Sequence, residues 1–405
     1  MSRPLGNARL RAARQAAGYR SQQDLADALT ARGLSVSARQ VRRWESADPP
    51  VPYPDVQRVL VDLLGVASIE DLGFTAAQPV GAGRVLRTPP GAPIAVPNAA
   101  QPASAASAFA AVTRAHRRLY WTVAPATLHP SVVAHTALGA ALVPATSGVI
   151  RRTVAAALAE SYLLAGRIEF FDLTEPGRAR ETWLRALQAA GDADDALLGA
   201  AILAHNAFVP GWAGDRAGAG ERMAMARTAA RRGPASAELL AWLDAVEAEC
   251  ETRCGNTRAA LNLIGHAEDV LAAGGDERSP EWLDWFSPVR LAAFKGNTQL
   301  RAGHLPQSRE TLLGVLEALP PDADKQRTVV LGDLAAVEAA AGRPEAACEY
   351  AVRALDLLET HWYATGMERV RAVRRELAPW QGEPCVRDLD DRLYSWGAML
   401  SALAN

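Results

Sequence analysis

The sequence lacks the residue patterns that mark secreted and membrane-spanning proteins. Only four cysteines occur in 405 residues, which is too few for the disulfide framework of an extracellular domain. No apolar run approaches the roughly 18 residues that a membrane-spanning helix needs. The first residues, MSRPLGNARLRAARQ, also lack the apolar core of a signal peptide. We therefore expect a cytoplasmic protein without a membrane partner.

The sequence also lacks the motifs of common catalytic sites. It contains no GxxxxGK[ST] phosphate loop, no GxGxxG after a strand, no GxSxG and no HExxH. The seven histidines are scattered, and each is expected to be structural. They are His116, His129, His135, His205, His266, His304 and His361. We predict no catalytic residue and no cofactor.

Two cysteines share one predicted helix face. Cys250 and Cys254 are four residues apart, which allows a redox pair or half of a metal site. Packing in the core is the favoured interpretation, because an intact helix holds this pair too far apart for an easy disulfide and no other Cys or His lies nearby at ligand spacing. No metal site is predicted.

The residues that are abundant predict helices. Alanine recurs along the whole chain, and alanine loses no side-chain entropy in a helix. No β-hairpin signal is present, so the predicted fold class is all-α. The length predicts more than one domain.

Positive charge is concentrated at the start of the chain. Residues 1–58 hold ten arginines and five acidic residues, a net charge of +5, whereas the whole chain carries −2. The remainder is therefore at −7. A basic segment attached to an acidic body indicates that only the basic segment has a polyanionic partner.

A proline-rich stretch divides the chain. Residues 75–104 contain six prolines and keep no hydrophobic period, which excludes a continuous helix. We interpret this stretch as a linker between a first domain, 1–74, and a second domain, 105–405.

The second domain repeats a helical unit. Five turns have a similar pattern, and they are anchored on Thr174, Gly214, Gly255, Gly303 and Gly342. A small residue follows each anchor after five positions, and these residues are Ala179, Ala219, Ala260, Ser308 and Ala347. The anchor spacings are 40, 41, 48 and 39 residues, and the longest contains the insertion AGGDERSPEWLDWF. A period near 40 indicates a repeat architecture.

This pattern resembles the tetratricopeptide class of helix-hairpin solenoids over about residues 150–378. In such a solenoid each unit stacks only on its neighbours. We expect residues 105–145 and 384–403 to form helical caps at the two ends.

The first domain shows short helices separated by turn residues. Gly18 ends a first helix, and Ser21 with Asp24 forms a capping-box-like start for a second. A third helix is predicted from about Ser37. On it Val41 and Trp44 are three apart and face inward, while Arg39 and Arg43 are four apart and face outward.

These helices resemble the lambda-repressor-like, xenobiotic-response-element family of helix-turn-helix proteins. The family pattern is Gln-x-x-Leu-Ala, a small-residue turn, and then Ile/Val-x-x-Trp-Glu. The matching residues here are Gln22, Leu25, Ala26, Val36, Ser37, Val41, Trp44 and Glu45.

The resemblance implies that the third helix is a recognition helix that lies in the major groove of DNA. It implies base contacts from Ala38, Arg39 and Arg43, where an arginine can bond bidentately to guanine. The residues that it implies as phosphate contacts are Gln22, Gln40, Arg42 and Ser46. Arg14 and Glu45 match a structural ion pair of the family.

Bacterial regulators of similar layout, in particular the high-GC branch, fuse such a head to tetratricopeptide repeats. The repeats of those regulators bind a signal peptide or small molecule and mediate dimerisation. The resemblance thus implies a homodimeric transcriptional regulator that binds double-stranded DNA. The alternative is a protein-interaction scaffold, in which the repeats bind a partner protein and the head binds DNA only weakly.

Two groups of side chains are candidate ligand contacts. Trp282, Trp285 and Phe286 form an aromatic cluster that can wall a pocket, although packing of the insertion is the favoured interpretation. Three asparagines of the repeat helices can clamp a peptide, with surface or capping roles as the favoured alternative. They are Asn206, Asn262 and Asn297.

Overall fold

The structure of the protein is a computed structural model. It describes residues 6–74, except for residues 35, 47, 48, 51, 53 and 67, and residues 101–403. Most of the predicted linker, residues 75–100, lies outside the described residues. The first helix after it begins at Ala103.

The described residues form eighteen α-helices and no strand, which confirms the predicted all-helical class. The chain divides into two compact units, residues 1–95 and 96–405. The helices of the first unit are α1 (Ala8–Ala16), α2 (Gln22–Ala31), α3 (Ala38–Trp44) and α4 (Pro54–Leu64). The early helices of the second unit are α5 (Ala103–Thr122), α6 (Pro125–Leu142), α7 (Gly148–Arg167), α8 (Pro176–Ala193), α9 (Ala196–Trp212), α10 (Arg216–Ala230) and α11 (Ala237–Arg253). Its later helices are α12 (Thr257–Ala273), α13 (Pro288–Arg301), α14 (Leu305–Ala318), α15 (Asp324–Ala340), α16 (Pro344–Thr360), α17 (Ala364–Glu376) and α18 (Pro384–Leu403).

Capping residues determine where α2 and α3 begin. The Ser21 hydroxyl accepts a hydrogen bond from the backbone N–H of Asp24, and the Asp24 carboxylate accepts one from the backbone N–H of Ser21. Ser37 and Gln40 form the same reciprocal pair at α3. Each capping box satisfies backbone groups that a helix start leaves unpaired, so the turn between the two helices has fixed ends.

The helices of the second unit pack in neighbouring pairs. The pairs are α7 with α8, α9 with α10, α11 with α12, α13 with α14, and α15 with α16. The chain reverses between the helices of each pair at one residue with positive φ, a conformation that glycine adopts at little cost. These residues are Thr174, Gly214, Gly255, Gly303 and Gly342, the five positions that anchor the repeat in the sequence.

Small residues allow the two helices of a pair to approach closely. The residue five positions after each anchor is buried in every pair; the five are Ala179, Ala219, Ala260, Ser308 and Ala347. In the fourth pair the Ser308 hydroxyl donates to the carbonyl oxygen of Gly296 at 2.7 Å. A Cβ atom on Gly296 would lie 2.5 Å from a methyl group of Leu312, so a larger residue here would force the pair apart.

The first helices of the five pairs form a continuous layer together with α17. Helices α7, α9, α11, α13, α15 and α17 contact one another in this order, and α17 also contacts the π-helical turn Ile168–Asp172 that follows α7. The buried ammonium group of Lys325 on α15 donates to the carbonyl oxygens of Tyr120 and Val123, which lie at the end of α5. The early and late helices of this unit therefore meet.

None of the described helices combines the length and the apolar character that a bilayer span requires.

Candidate functional site

The exposed face of α3 carries three arginines. Val41 and Trp44 of this helix are buried in the core of the first unit, against residues such as Leu25 and Leu60. The opposite face presents Arg39, Arg42 and Arg43, all exposed. Their guanidinium groups make no hydrogen bond or ion pair within the described part of the chain. The charge of α3 is therefore free to meet a partner.

These arginines form one wall of an open groove. The residues that line it are Arg11, Gln22, Arg39, Arg42, Arg43, Glu45 and Ser46. Five of them belong to the residues that the sequence predicted as DNA contacts. Arg11 was missed by the sequence analysis, although it lies three residues before Arg14 on the same helix. Positive charge from two helices thus converges on one groove.

A buried ion pair fixes α3 against α1. The Nε atom of Arg14 lies 2.7 Å from Oε1 of Glu45, and both side chains are almost fully buried. Arg14 also donates to the carbonyl oxygen of Tyr19 at 2.7 Å. The side-chain amide of Gln22 on α2 donates to the other oxygen of Glu45, at 2.7 Å. Glu45 therefore connects the first three helices.

Burial alone would raise the pKa of Glu45. The hydrogen bonds from Arg14 and Gln22, together with the positive charges of Arg14 and Arg11, outweigh burial and lower the pKa below its ordinary value. The carboxylate stays ionised and compensates the buried guanidinium of Arg14, so the network holds the groove in one geometry without a net buried charge.

Three of the four remaining predicted DNA contacts also form hydrogen bonds within the protein. Ala38 is half-buried at the first position of α3. The Gln40 side chain caps its own helix through Ser37, and that of Gln22 donates to Glu45. The Ser46 hydroxyl donates to the carbonyl oxygen of Arg43 at 2.7 Å. The two glutamines and Ser46 thus form hydrogen bonds within the protein. On DNA binding, these bonds would either persist beside a phosphate contact or be replaced by it.

A second candidate site is a cavity in the second unit. It has a volume of about 120 Å³ and is lined from α7, α9, α11, α13 and α15, the first helices of the five pairs, from α17, and from the segments beside these helices. The aromatic residues of its wall are Phe171, Phe208, Trp212, Trp242, Trp285, Phe286, Phe294 and Tyr363. A largely aromatic wall with a few charged side chains is typical of small-molecule sites.

The predicted ligand residues divide between this cavity and other places. Trp285, Phe286 and Asn297 line the cavity. Trp282 does not line it; this residue is a buried part of the insertion, whose Asp284 accepts a hydrogen bond from Arg117 at 3.0 Å. The insertion therefore packs on α5 and also supplies part of the cavity wall.

The other two asparagines lie outside the cavity. Asn206 is buried and accepts a hydrogen bond from Arg222 at 3.1 Å, and Asn262 is exposed on α12. The three asparagines do not come together in this cavity, because Asn262 lies on α12, the second helix of its pair, and none of the described second helices lines the cavity.

The imidazole ring of His205 lines the cavity and is neutral. Burial is the main cause that lowers its pKa to about 3, and the positive charge of Arg167 contributes. Its Nδ1 atom lies 2.8 Å from the carbonyl oxygen of Ala201, so this nitrogen carries the proton of the neutral ring. His205 adds aromatic surface to the cavity and no charge at neutral pH.

No cluster of three or more metal-ligating side chains occurs among residues 6–74 and 101–403 that the structure describes. Cys250 is buried, with its thiol 3.6 Å from the carbonyl oxygen of Ala207, and Cys254 caps the end of α11. Comparison of the sequence with protein-family models and with curated proteins finds no match.

Proposed function

We propose that the protein is a sequence-specific DNA-binding transcriptional regulator. Its first unit is a helix-turn-helix head of the lambda-repressor-like type, and its second unit is a tetratricopeptide-like solenoid that senses a peptide or small molecule and mediates dimerisation. The observation that carries the proposal is the groove of the first unit. Three arginines without partners project from α3, and a buried ion pair holds that helix in place.

The arrangement suits the major groove of DNA. Arg39 and Arg43 lie one helical turn apart on the exposed face of α3, and each can bond to O6 and N7 of a guanine. Arg42 and Arg11 line the same groove and would contact phosphate groups, with Nε of Arg11 also 3.7 Å from Oε2 of Glu45. Base contacts would then select a sequence while phosphate contacts fix the orientation of the head.

Regulation follows from the second unit. A signal that binds there can shift the protein between two states only by as much as its affinities for the two states differ. In a dimer, such a shift would change the spacing of the two heads, and therefore the fit to two half-sites about one helical turn of DNA apart.

A salt titration tests this proposal. We expect the affinity of the full-length protein for duplex DNA to fall steeply between low and physiological salt. Release of counterions from Arg11 and Arg42 alone predicts a log–log slope of about −2 per head. Arg42→Ala should reduce the slope by about one. The control is Arg58→Ala, which removes an exposed arginine of α4 outside the groove and should leave the slope unchanged. A flat response would contradict DNA binding and favour an interaction scaffold.

A further inference from the structure

The charges around the cavity of the second unit do not balance. Four arginines line it, namely Arg167, Arg253, Arg290 and Arg369, and the acidic residues that line it are Glu249 and Asp333. The surplus of two positive charges lies on half-buried side chains beside a largely apolar wall, where a charge without a counter-charge is only partly solvated.

Two of the four arginines have acidic partners. Nε of Arg253 lies 3.2 Å from Oε1 of Glu249, and its guanidinium stacks on Trp212 at 4.0 Å. Arg369 lies 3.3 Å from Asp333, which also accepts a hydrogen bond from Asn297. Both acidic groups of the wall are therefore already occupied.

The surplus charge belongs to Arg167 and Arg290. Neither guanidinium takes part in an ion pair or a hydrogen bond with any residue that the structure describes. Arg167 lies over the Trp285 ring at 4.7 Å, and Arg290 lies over the Phe294 ring at 5.5 Å. Burial lowers the pKa of Arg290, and the charge of Arg167 lowers it further, so these two cations act on each other.

The described acidic groups around this pair form no ion pair or hydrogen bond with either arginine. Asp172, which follows α7, accepts a hydrogen bond from the Tyr120 hydroxyl at 3.1 Å. Burial raises the pKa of this carboxyl to about 7, and the charges of Lys325 and Arg167 offset that rise only in part, so Asp172 is an incomplete counter-charge for Arg167. Glu249 is paired with Arg253. Among the residues that the structure describes, no acidic side chain pairs with both Arg167 and Arg290.

The volume and the wall of the cavity indicate which kind of molecule supplies the missing negative charge. Its volume of about 120 Å³ is several times the ~10–15 Å³ that one water requires, so it has room for a molecule. Trp242 and Trp285 pack edge to face at 5.2 Å and form a rigid apolar wall. Aromatic walls favour a flat apolar body, and an arginine matches a carboxylate with two parallel hydrogen bonds.

We propose that this cavity binds an aromatic carboxylate, with the ring between the aromatic side chains and the carboxylate between Arg167 and Arg290. Arg167 ends α7 and Arg290 lies in the first turn of α13, so the bound anion would bridge helices that are far apart in sequence. The regulatory role of this site rests on the proposed function, whereas binding itself does not. The same chemistry is offered by a free aromatic acid and by the C-terminal aromatic residue of a peptide.

The test compares probes that differ mainly in charge. Binding of 2-naphthoate and of naphthalene-2-carboxamide to the full-length protein is measured by calorimetry and by tryptophan fluorescence, with no DNA present. We expect the carboxylate to bind at least about tenfold more tightly than the amide, because only the anion satisfies both arginines. The peptide Ala-Ala-Phe with a free carboxylate distinguishes the two sources. Binding of the peptide at least as tight as that of 2-naphthoate indicates a peptide terminus, and weaker binding indicates a free acid.

Variants locate the site. Arg290→Gln should reduce the preference for the carboxylate to about twofold or less, and Arg290→Lys should retain part of it. Arg258→Gln, an exposed arginine of α12, should change nothing. Equal affinity of the two naphthalene probes, or absence of binding by both, would overturn the proposal even if Arg290→Gln does not fold. Since DNA is absent, failure here is separate from failure of the salt titration.

Discussion

Replacing Arg39 and Arg43 together with alanine is expected to abolish sequence-selective DNA binding by the full-length protein. Both side chains are exposed on one face of α3 and have no partner in the described part of the chain. A bidentate contact between arginine and guanine contributes about 1–3 kcal/mol of discrimination, so loss of two predicts a fall in specific affinity of about 30-fold or more. Affinity for unrelated DNA should fall much less. The measurement is binding to the preferred sequence and to a scrambled one, in equal salt.

The control for this result is Arg58→Ala. It removes an exposed arginine from α4 of the same unit, outside the groove, and should weaken binding to both sequences by similar, small factors. If the double variant keeps the preference of the wild type, α3 is not the recognition helix and the assignment of the base contacts is wrong.

Glu45→Ala is expected to unfold the first unit or destabilise it by about 3–5 kcal/mol, because it leaves the guanidinium of Arg14 buried without a counter-charge. Chemical unfolding of the fragment 1–74, followed through Trp44, measures the loss. The double variant Arg14→Met/Glu45→Leu should recover most of the stability, since both buried charges are removed together. Equal stability of Glu45→Ala and the wild type would show that the ion pair does not hold the head together.

The same network predicts the acid response of the first unit. Its folded state holds the pKa of Glu45, and that of Asp24 at the start of α2, below their ordinary values. The stability that they contribute is therefore complete above pH 5 and is lost as pH falls through the folded-state pKa of each group. Glu45→Ala should flatten this dependence.

The turns and small residues of the second unit could be predicted from the sequence because they depend on the conformation and size of single residues. A helix pair needs a residue that tolerates positive φ and a small residue near the start of its second helix. Thr174 follows the same rule although it is not a glycine, since its φ is 55°. The pattern therefore locates the pairs.

The buried and exposed faces of α3 in the first unit could be predicted for a different reason. Alternation of buried and exposed residues on α3 separates Val41 and Trp44 from Arg39 and Arg43 within one short segment. The sequence did not predict that Gln22 and Gln40 form hydrogen bonds within the protein. Either glutamine can bond to a phosphate or within the protein, and only the positions of Glu45 and Ser37 show the internal bonds.

The set of residues that line the cavity could not be predicted from the sequence. Arg167 and Arg290 are more than a hundred residues apart, and they share a cavity because the early and late helices of the second unit meet. The aromatic cluster of the insertion was visible as a candidate wall. His205, Phe208 and Trp242 were missed as wall residues because nothing local shows that first helices face inward together.

The most direct test of the central claim is selection of bound sequences from a random duplex library, using purified full-length protein at near-physiological salt. The account predicts an enriched motif with guanines in each half-site and two-fold symmetry, its half-sites about one or two helical turns apart. The Arg39→Ala/Arg43→Ala variant should lose those guanines. If the wild type enriches no motif, both without a ligand and with 2-naphthoate present, the chain is not a sequence-specific regulator.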